Sequence, residues 1–172
     1  MKADNLRKLT LIRHATADQD AGVRDFERPL SRKGHGEAQE MAKRLHERGL
    51  VPDLILVSSA VRTRETADNF AKVLGVAARL LQADDSLYLA DGEHILSTIR
   101  AVGPRVSNLM VIGHNPGISA AAIALAPETV SADLPTCGVL TMTVNCAAWS
   151  LVDRRCVREA ERDAPRRFFD FG

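Results

Sequence analysis

The sequence predicts a three-layer α/β fold built on a mainly parallel sheet. Two patterns carry that expectation. Apolar runs at 9–12, 54–57 and 109–112 have strand length and contain no turn former. Each is followed by a loop and then by a segment whose apolar residues recur at i, i+3, i+4 and i+7, closed by glycine or left open to a polar stretch. The 172 residues hold no internal repeat, low-complexity tract or linker, so one domain over residues 1–172 is expected.

The elements follow in order. Leu9-Thr10-Leu11-Ile12 reads as a buried strand that runs out into Arg13-His14-Ala15. A polar loop from Thr16 to Glu27, with Asp18, Asp20 and Asp25, covers the strand end, and Arg28-Pro29-Leu30-Ser31 closes it. Ser31 is a good N-cap for a helix from Arg32 to about Arg48, with Ala38, Met41, Ala42 and Leu45 inward and Gly49 and Pro52 as stops. Leu54-Ile55-Leu56-Val57 is the second strand. Ser58-Ser59 lead from it into a helix from about Ala60 to Leu74, which Gly75 ends. A short third strand is expected within 76–82, then a polar stretch through Asp84, Asp85 and Ser86. Asp91 caps a third helix to about Val102, ended by Gly103-Pro104. Leu109-Met110-Val111-Ile112 is the fourth strand and ends in Gly113-His114-Asn115-Pro116-Gly117, with Asn115 as N-cap and Pro116 as first residue of a fourth helix. Gly138 to Val144 reads as a fifth strand, and Ala148 to Val152 as an added edge strand. Arg154 to Asp163 mixes both signs and reads as a solvated helix or turn. Its arginines, with Arg166 and Arg167, are offset by Asp153, Glu159, Glu161 and Asp163.

Composition narrows the partners. With 23 basic and 22 acidic residues the net charge is +1, which gives no support for nucleic acid or a membrane surface as the partner. No run approaches the roughly 18 apolar residues of a membrane span. Met1-Lys2-Ala3-Asp4-Asn5 lacks the apolar segment of a secretory signal. Cys137, Cys146 and Cys156 form no CxxC pair and read as reduced, packed thiols. Together these features predict a cytoplasmic protein.

The chemistry gathers at strand ends. Arg13-His14, Arg62 and His114 each follow a strand, and in a parallel sheet such ends share the edge where ligands bind. Two guanidinium forks and two imidazoles suit a compact dianion, and phosphate fits best. A neutral histidine can act as the nucleophile, and phosphoryl transfer otherwise asks for positioning and charge neutralisation. No GxxxxGK[ST] and no GxGxxG after a strand is present. Zinc is a weaker reading, because the two histidines lie about a hundred residues apart with no cysteine or carboxylate motif beside them.

Leu11-Ile12-Arg13-His14-Ala15 resembles the R-H-G signature of the histidine phosphatase superfamily, which includes the phosphoglycerate mutases, with Ala15 in place of glycine. Arg28-Pro29-Leu30-Ser31 with Gly34, Ser58-Ser59-Ala60-Val61-Arg62 with Thr66-Ala67, and Gly113-His114-Asn115-Pro116-Gly117 resemble its later motifs, in the right order. The small size and Ala15 are similar to the SixA-type phosphohistidine phosphatases. The resemblance implies a phosphoglycerate mutase-like fold and a metal-independent phosphatase without cofactor. It implies His14 as nucleophile through a phosphohistidine intermediate, and Arg13, Arg62 and His114 as ligands of the phosphoryl oxygens. A backbone carbonyl is expected to hold the other ring N–H of His14.

The general acid is open at this stage. Mutase relatives use a glutamate after the third strand, where this chain has only Asp84-Asp85-Ser86-Leu87-Tyr88. Asp25 is the better candidate, with Asp18 and Asp85 as rivals; His35, His46 and His94 receive no role. Segments 76–90 and 126–137 are too short for a cap domain; a shallow site admits a phosphate on a protein surface and also small phosphoesters, which favours a phosphatase over a mutase, and the SixA-type resemblance puts protein phosphohistidine first. The alternatives are a small-molecule phosphomonoesterase or mutase-like enzyme, and a phosphate-binding module without turnover. Oligomeric state is not legible.

Overall fold

The computed structural model describes residues 5–19 and 22–166. Met1 to Asp4, Asp20 of the loop and Arg167 of the arginine cluster lie outside the described residues. Six strands, β1 (Leu6–Arg13), β2 (Leu54–Ser58), β3 (Leu81–Asp84), β4 (Asn108–Gly113), β5 (Val139–Asn145) and β6 (Val157–Asp163), form one sheet in the order β3-β2-β4-β1-β5-β6. The first four in that order run parallel, β5 pairs antiparallel with β1, and β6 pairs antiparallel with β5. Four α-helices, α1 (Arg32–Glu47), α2 (Val61–Leu74), α3 (Gly92–Arg100) and α4 (Gly117–Leu125), cover the two faces.

Burial on both faces explains why the central strands are continuously apolar. Leu9, Leu11, Leu56, Leu109, Val111 and Leu140 pack with Ile95, Ile99, Ile118 and Leu125 of α3 and α4. Ile12, Ile55, Val57, Met110 and Ile112 pack with Met41, Leu45, Phe70 and Leu74 of α1 and α2. The chain therefore leaves β1 for one face and β4 for the other. Because β1 and β4 are neighbours, a crevice opens between their carboxyl ends, the place where open α/β sheets bind ligands. Arg13 stands opposite Gly113, Val57 opposite Ile112 and Ser58 opposite Asp84, so all the candidate segments emerge at one level.

Four expectations change. The third strand begins later, at Leu81, after a 3-10 turn at Ala78–Leu80. Ala148 to Val152 is not a strand: Trp149–Leu151 is a 3-10 turn, because Trp149 is buried and its indole N–H donates to the Val106 carbonyl at 2.7 Å. Arg154 to Asp163 is not a solvated helix; after a turn at Arg154–Cys156 it supplies the edge strand β6, paired with β5. Charge on that strand suits an edge, where it discourages pairing with other chains, and the strand carries no apolar alternation that would mark it in the sequence. Finally, α4 starts at Gly117 with Pro116 as its cap, and the Asn115-Pro116 peptide is cis. The Asn115 side chain instead donates to the Leu134 carbonyl at 3.0 Å. Among the described residues no cap domain covers the sheet edge: residues 76–90 form only β3 and short turns. No helix among the described residues is long and apolar enough to cross a membrane.

Candidate active site

The site is assembled by a clamp on the segment after β1. Ser31 donates its hydroxyl to the Thr16 carbonyl (3.1 Å) and accepts from Gly34 N–H (3.1 Å), so the N-cap of α1 also grips the loop. Gly34 lies so close that a Cβ there would stand 2.0 Å from the Thr16 oxygen. From the other side, Thr66 of α2 accepts from Ala15 N–H (3.1 Å) and donates to the Arg62 carbonyl (2.7 Å). The β1 extension is thereby held between α1 and α2, which explains the spacing of both motifs.

His14 occupies the centre, 9% exposed. Its Nδ1 lies 2.7 Å from the Ala15 carbonyl. A carbonyl only accepts, so Nδ1 carries the proton. Arg62 Nε–H points at Nε2 at 3.4 Å, which requires a lone pair there. Burial, reinforced by Arg62, Arg13 and Arg28, lowers the His14 pKa to about 4 against the pull of the Ala15 carbonyl. The ring is a neutral base with its free nitrogen facing the arginines.

His114 lies with its ring centroid 5.3 Å from that of His14. Its Nε2 is 2.7 Å from the Ser58 hydroxyl. Burial, then His14 and Arg62, lower its pKa to about 3. Arg13 donates to the Leu134 carbonyl at 3.0 Å. Among the described residues four buried side-chain nitrogens lack a hydrogen-bond partner, and three of them, Arg13 Nε, Arg28 Nε and His114 Nδ1, belong to this cluster. Buried polar groups are nearly always paired, and their exceptions gather at functional sites. Three such groups around one imidazole are arranged for an anion that accepts several hydrogen bonds.

Asp25 does join the cluster. Its carboxylate accepts from Arg62 Nη2 (3.0 Å) and from the Tyr88 hydroxyl (2.5 Å), and its carbonyl accepts from Arg62 Nη1 (2.7 Å). The Tyr88 hydrogen bond, then Arg62 and Arg28, hold its pKa below the usual carboxylate range against partial desolvation. Asp85 engages the Ser59 hydroxyl instead, and the backbone N–H of Asp18 donates to the Pro29 carbonyl at 2.8 Å. Phe26 and Tyr88 meet edge to face at 4.9 Å, and Tyr88 meets His114 at 5.5 Å, so a line of rings runs from the rim to the histidines. No group of three or more histidine, cysteine, aspartate or glutamate side chains among the described residues could hold a metal ion.

Comparison with known proteins identifies the family. Residues 9–87 match the profile of the histidine phosphatase superfamily, branch 1. The Agrobacterium tumefaciens protein assigned as the phosphohistidine phosphatase SixA is 32% identical, with a TM-score of 0.78 over 92% of this chain and 98% of that one. The chain belongs to the histidine phosphatase superfamily. A Nakamurella multipartitia protein with the same SixA assignment is 26% identical, with a TM-score of 0.74 over 94% of this chain and 96% of that one. A chloroplastic protein of Arabidopsis thaliana, itself uncharacterised, is 35% identical over 83% of this chain and 69% of its own length. Within the histidine phosphatase superfamily this chain is a phosphatase of SixA-like fold.

Three members of the cluster had no role in the sequence reading. Arg28 was quoted only as part of a motif, although a third guanidinium near His14 is the natural use of an arginine beside that loop. Ser58 enters the sequence analysis only as the residue after the second strand and as part of a motif. Tyr88, the only tyrosine in the chain, lay unremarked in the segment after the third strand; nothing local marks it, since its partners Asp25 and His114 are remote in sequence.

Proposed function

We propose that the protein is a metal-independent phosphohistidine phosphatase, one domain over residues 1–172, working in the cytoplasm on a phosphorylated protein. The observation that carries this reading is His14, a neutral imidazole with Nδ1–H on the Ala15 carbonyl and an unprotonated Nε2 facing Arg62, among buried nitrogens of Arg13, Arg28 and His114 that have no hydrogen-bond partner. His14 Nε2 forms a bond to phosphorus as the bond to the leaving nitrogen or oxygen breaks, and the departing pair takes a proton from Asp25. Water then attacks phosphorus, the N–P bond returns its pair to Nε2, and Asp25 takes the water's proton. Arg13, Arg62 and His114 hold the phosphoryl oxygens and oppose the charge that develops on them.

Asp25 is a carboxylate in the resting site, which suits the second step. The first step needs it protonated. A phosphoryl group on Arg62 supplies that change: it withdraws a cation from Asp25 and places an anion beside it, and both raise the pKa. The uncapped sheet edge favours a phosphate presented by another protein surface, and the SixA assignment of the 32% identical relative supports the same substrate.

His14→Ala should abolish turnover, with a loss of about 10⁴-fold or more, while the fold persists. Acid-quenched wild type should carry an acid-labile phosphate on His14. Retained turnover in the variant removes the nucleophile assignment. Substrate class is tested by phosphate release from a phosphohistidine protein against a panel of phosphorylated metabolites. Faster release from a metabolite would move the reading to a small-molecule phosphomonoesterase.

A further inference from the structure

Glu37 lies on α1 and is 8% exposed although it carries a carboxyl group. Buried carboxylates require strong partners. Its partners are both on Thr16: the backbone N–H reaches Oε2 at 2.9 Å, and the hydroxyl is 2.9 Å from each carboxylate oxygen. The same hydroxyl lies 3.2 Å from that of Thr136. Lys33 Nζ stands 3.9 Å away on the solvent side, and the buried Cys137 thiol lies near enough for the carboxylate to oppose its ionisation.

The Thr16 N–H and the Ala15 carbonyl are the two ends of one peptide group. That carbonyl is the acceptor of His14 Nδ1–H. Carboxylate, peptide and imidazole therefore form one line of hydrogen bonds that ends at the free Nε2. The proposed chemistry puts positive charge on the His14 ring when Nε2 bonds phosphorus. The groups facing the ring are Arg13 from β1, Arg28 from the loop, Arg62 from α2 and His114 from the end of β4, three of them cations. Glu37 is the anion joined to the ring by this line.

We infer that Glu37 is a positioning residue for His14, acting through the Ala15–Thr16 peptide. Its carboxylate polarises that peptide. The Ala15 oxygen becomes more negative, fixes the Nδ1–H tautomer and stabilises the charged ring in the transition state, with no proton leaving Nδ1. A carboxylate that orients a reactive histidine directly has the same physical role; here a peptide group stands between them. The inference rests on His14 being the nucleophile.

Glu37→Gln tests it, because the amide oxygen can keep the bond to Thr16 N–H while the negative charge is lost, the amide nitrogen taking the place of the Oε1 that faces the Thr16 hydroxyl and Lys33. The expected result is a fall in kcat of about tenfold, with KM little changed. The acid limb of kcat/KM should move to lower pH, since loss of an anion makes His14 harder to protonate. Wild-type kcat and an unmoved limb in E37Q would overturn the coupling. His14→Ala is assayed beside it: turnover there breaks the nucleophile reading, whereas an inactive H14A with an unaffected E37Q breaks only the role of Glu37. Should E37Q fail to fold, NMR of the ¹⁵N-labelled wild-type protein decides. His14 in the Nδ1–H form, with its Nδ1 proton and the Thr16 amide proton both far downfield, supports the line. An Nε2–H tautomer, or an ordinary Thr16 shift, overturns it.

Discussion

A histidine attacks phosphorus only while one ring nitrogen keeps its lone pair, and burial among arginines enforces that state at His14. The same burial costs stability in acid. His14 and His114 have folded pKa values of about 4 and about 3, below the 6.5 of an unperturbed histidine. The unfolded chain therefore binds protons that the folded chain refuses, so stability is complete above about pH 6.5 and falls as pH drops toward 4. Each histidine contributes a slope of up to about 1.4 kcal/mol per pH unit in that window. Denaturant titrations between pH 7 and 4 should show the decline, and His114→Asn should flatten it. Tyr88 and Asp25 make a second residue-level prediction. Asp25→Asn should lose much more rate on an alkyl phosphate than on an aryl phosphate with an acidic phenol, because an acid matters most for a basic leaving group. Tyr88→Phe removes the hydrogen bond that most lowers the Asp25 pKa. Its carboxyl should titrate higher, and the basic limb of the pH–rate profile should move up. An equal small loss of D25N on both substrates, with an unmoved limb in Y88F, would leave Asp25 as a loop residue.

At the scale of elements, the site depends on how closely α1 and α2 approach the end of β1. Gly34 is on a helix, where glycine is costly for the backbone, yet a side chain there would meet the Thr16 carbonyl at 2.0 Å. Gly34→Ala improves local helix propensity and should still destabilise the protein, by about 1–3 kcal/mol or more, because the obstacle is backbone that cannot rotate away. Urea unfolding should show a lowered midpoint, and turnover should fall with it as the Ala15 carbonyl is displaced from His14. A stable, active G34A would show that the clamp is looser than the hydrogen bonds describe. Gly117 plays the matching part on the other side, where a Cβ would stand 1.8 Å from the Ala90 carbonyl and so holds α4 against the segment that carries Tyr88.

For the whole molecule, the positive charge at the site comes from arginines. Arg13, Arg28 and Arg62 converge on a crevice made by adjacent strands whose helices cross to opposite faces. Arginine supplies positive charge at every accessible pH and needs no metal to do so. Turnover should therefore be unchanged by EDTA. Loss of activity restored by a divalent ion would contradict the proposed mechanism. The open edge has a corollary in substrate size, since no cap domain limits the bulk of what carries the phosphate.

The sequence by itself determined the architecture and the four residues at the centre of the site. Buried parallel strands must be apolar on both faces, so 9–12, 54–57 and 109–112 announced themselves, and the motifs at their ends named Arg13, His14, Arg62 and His114. Residues that work through local chemistry were equally legible: Ser31 caps α1 as its position demands, and the other ring N–H of His14 does meet a backbone carbonyl. The edges were not legible. β6 is held by pairing with β5 and needs no apolar pattern, while Trp149 turns away from a strand because its indole finds a carbonyl and a core under α3. Nor were Arg28, Tyr88 and Glu37 assigned roles. Each meets a partner brought near by the crossing of helices over the sheet. That pairing is a property of the packing and is not written in any short stretch of chain.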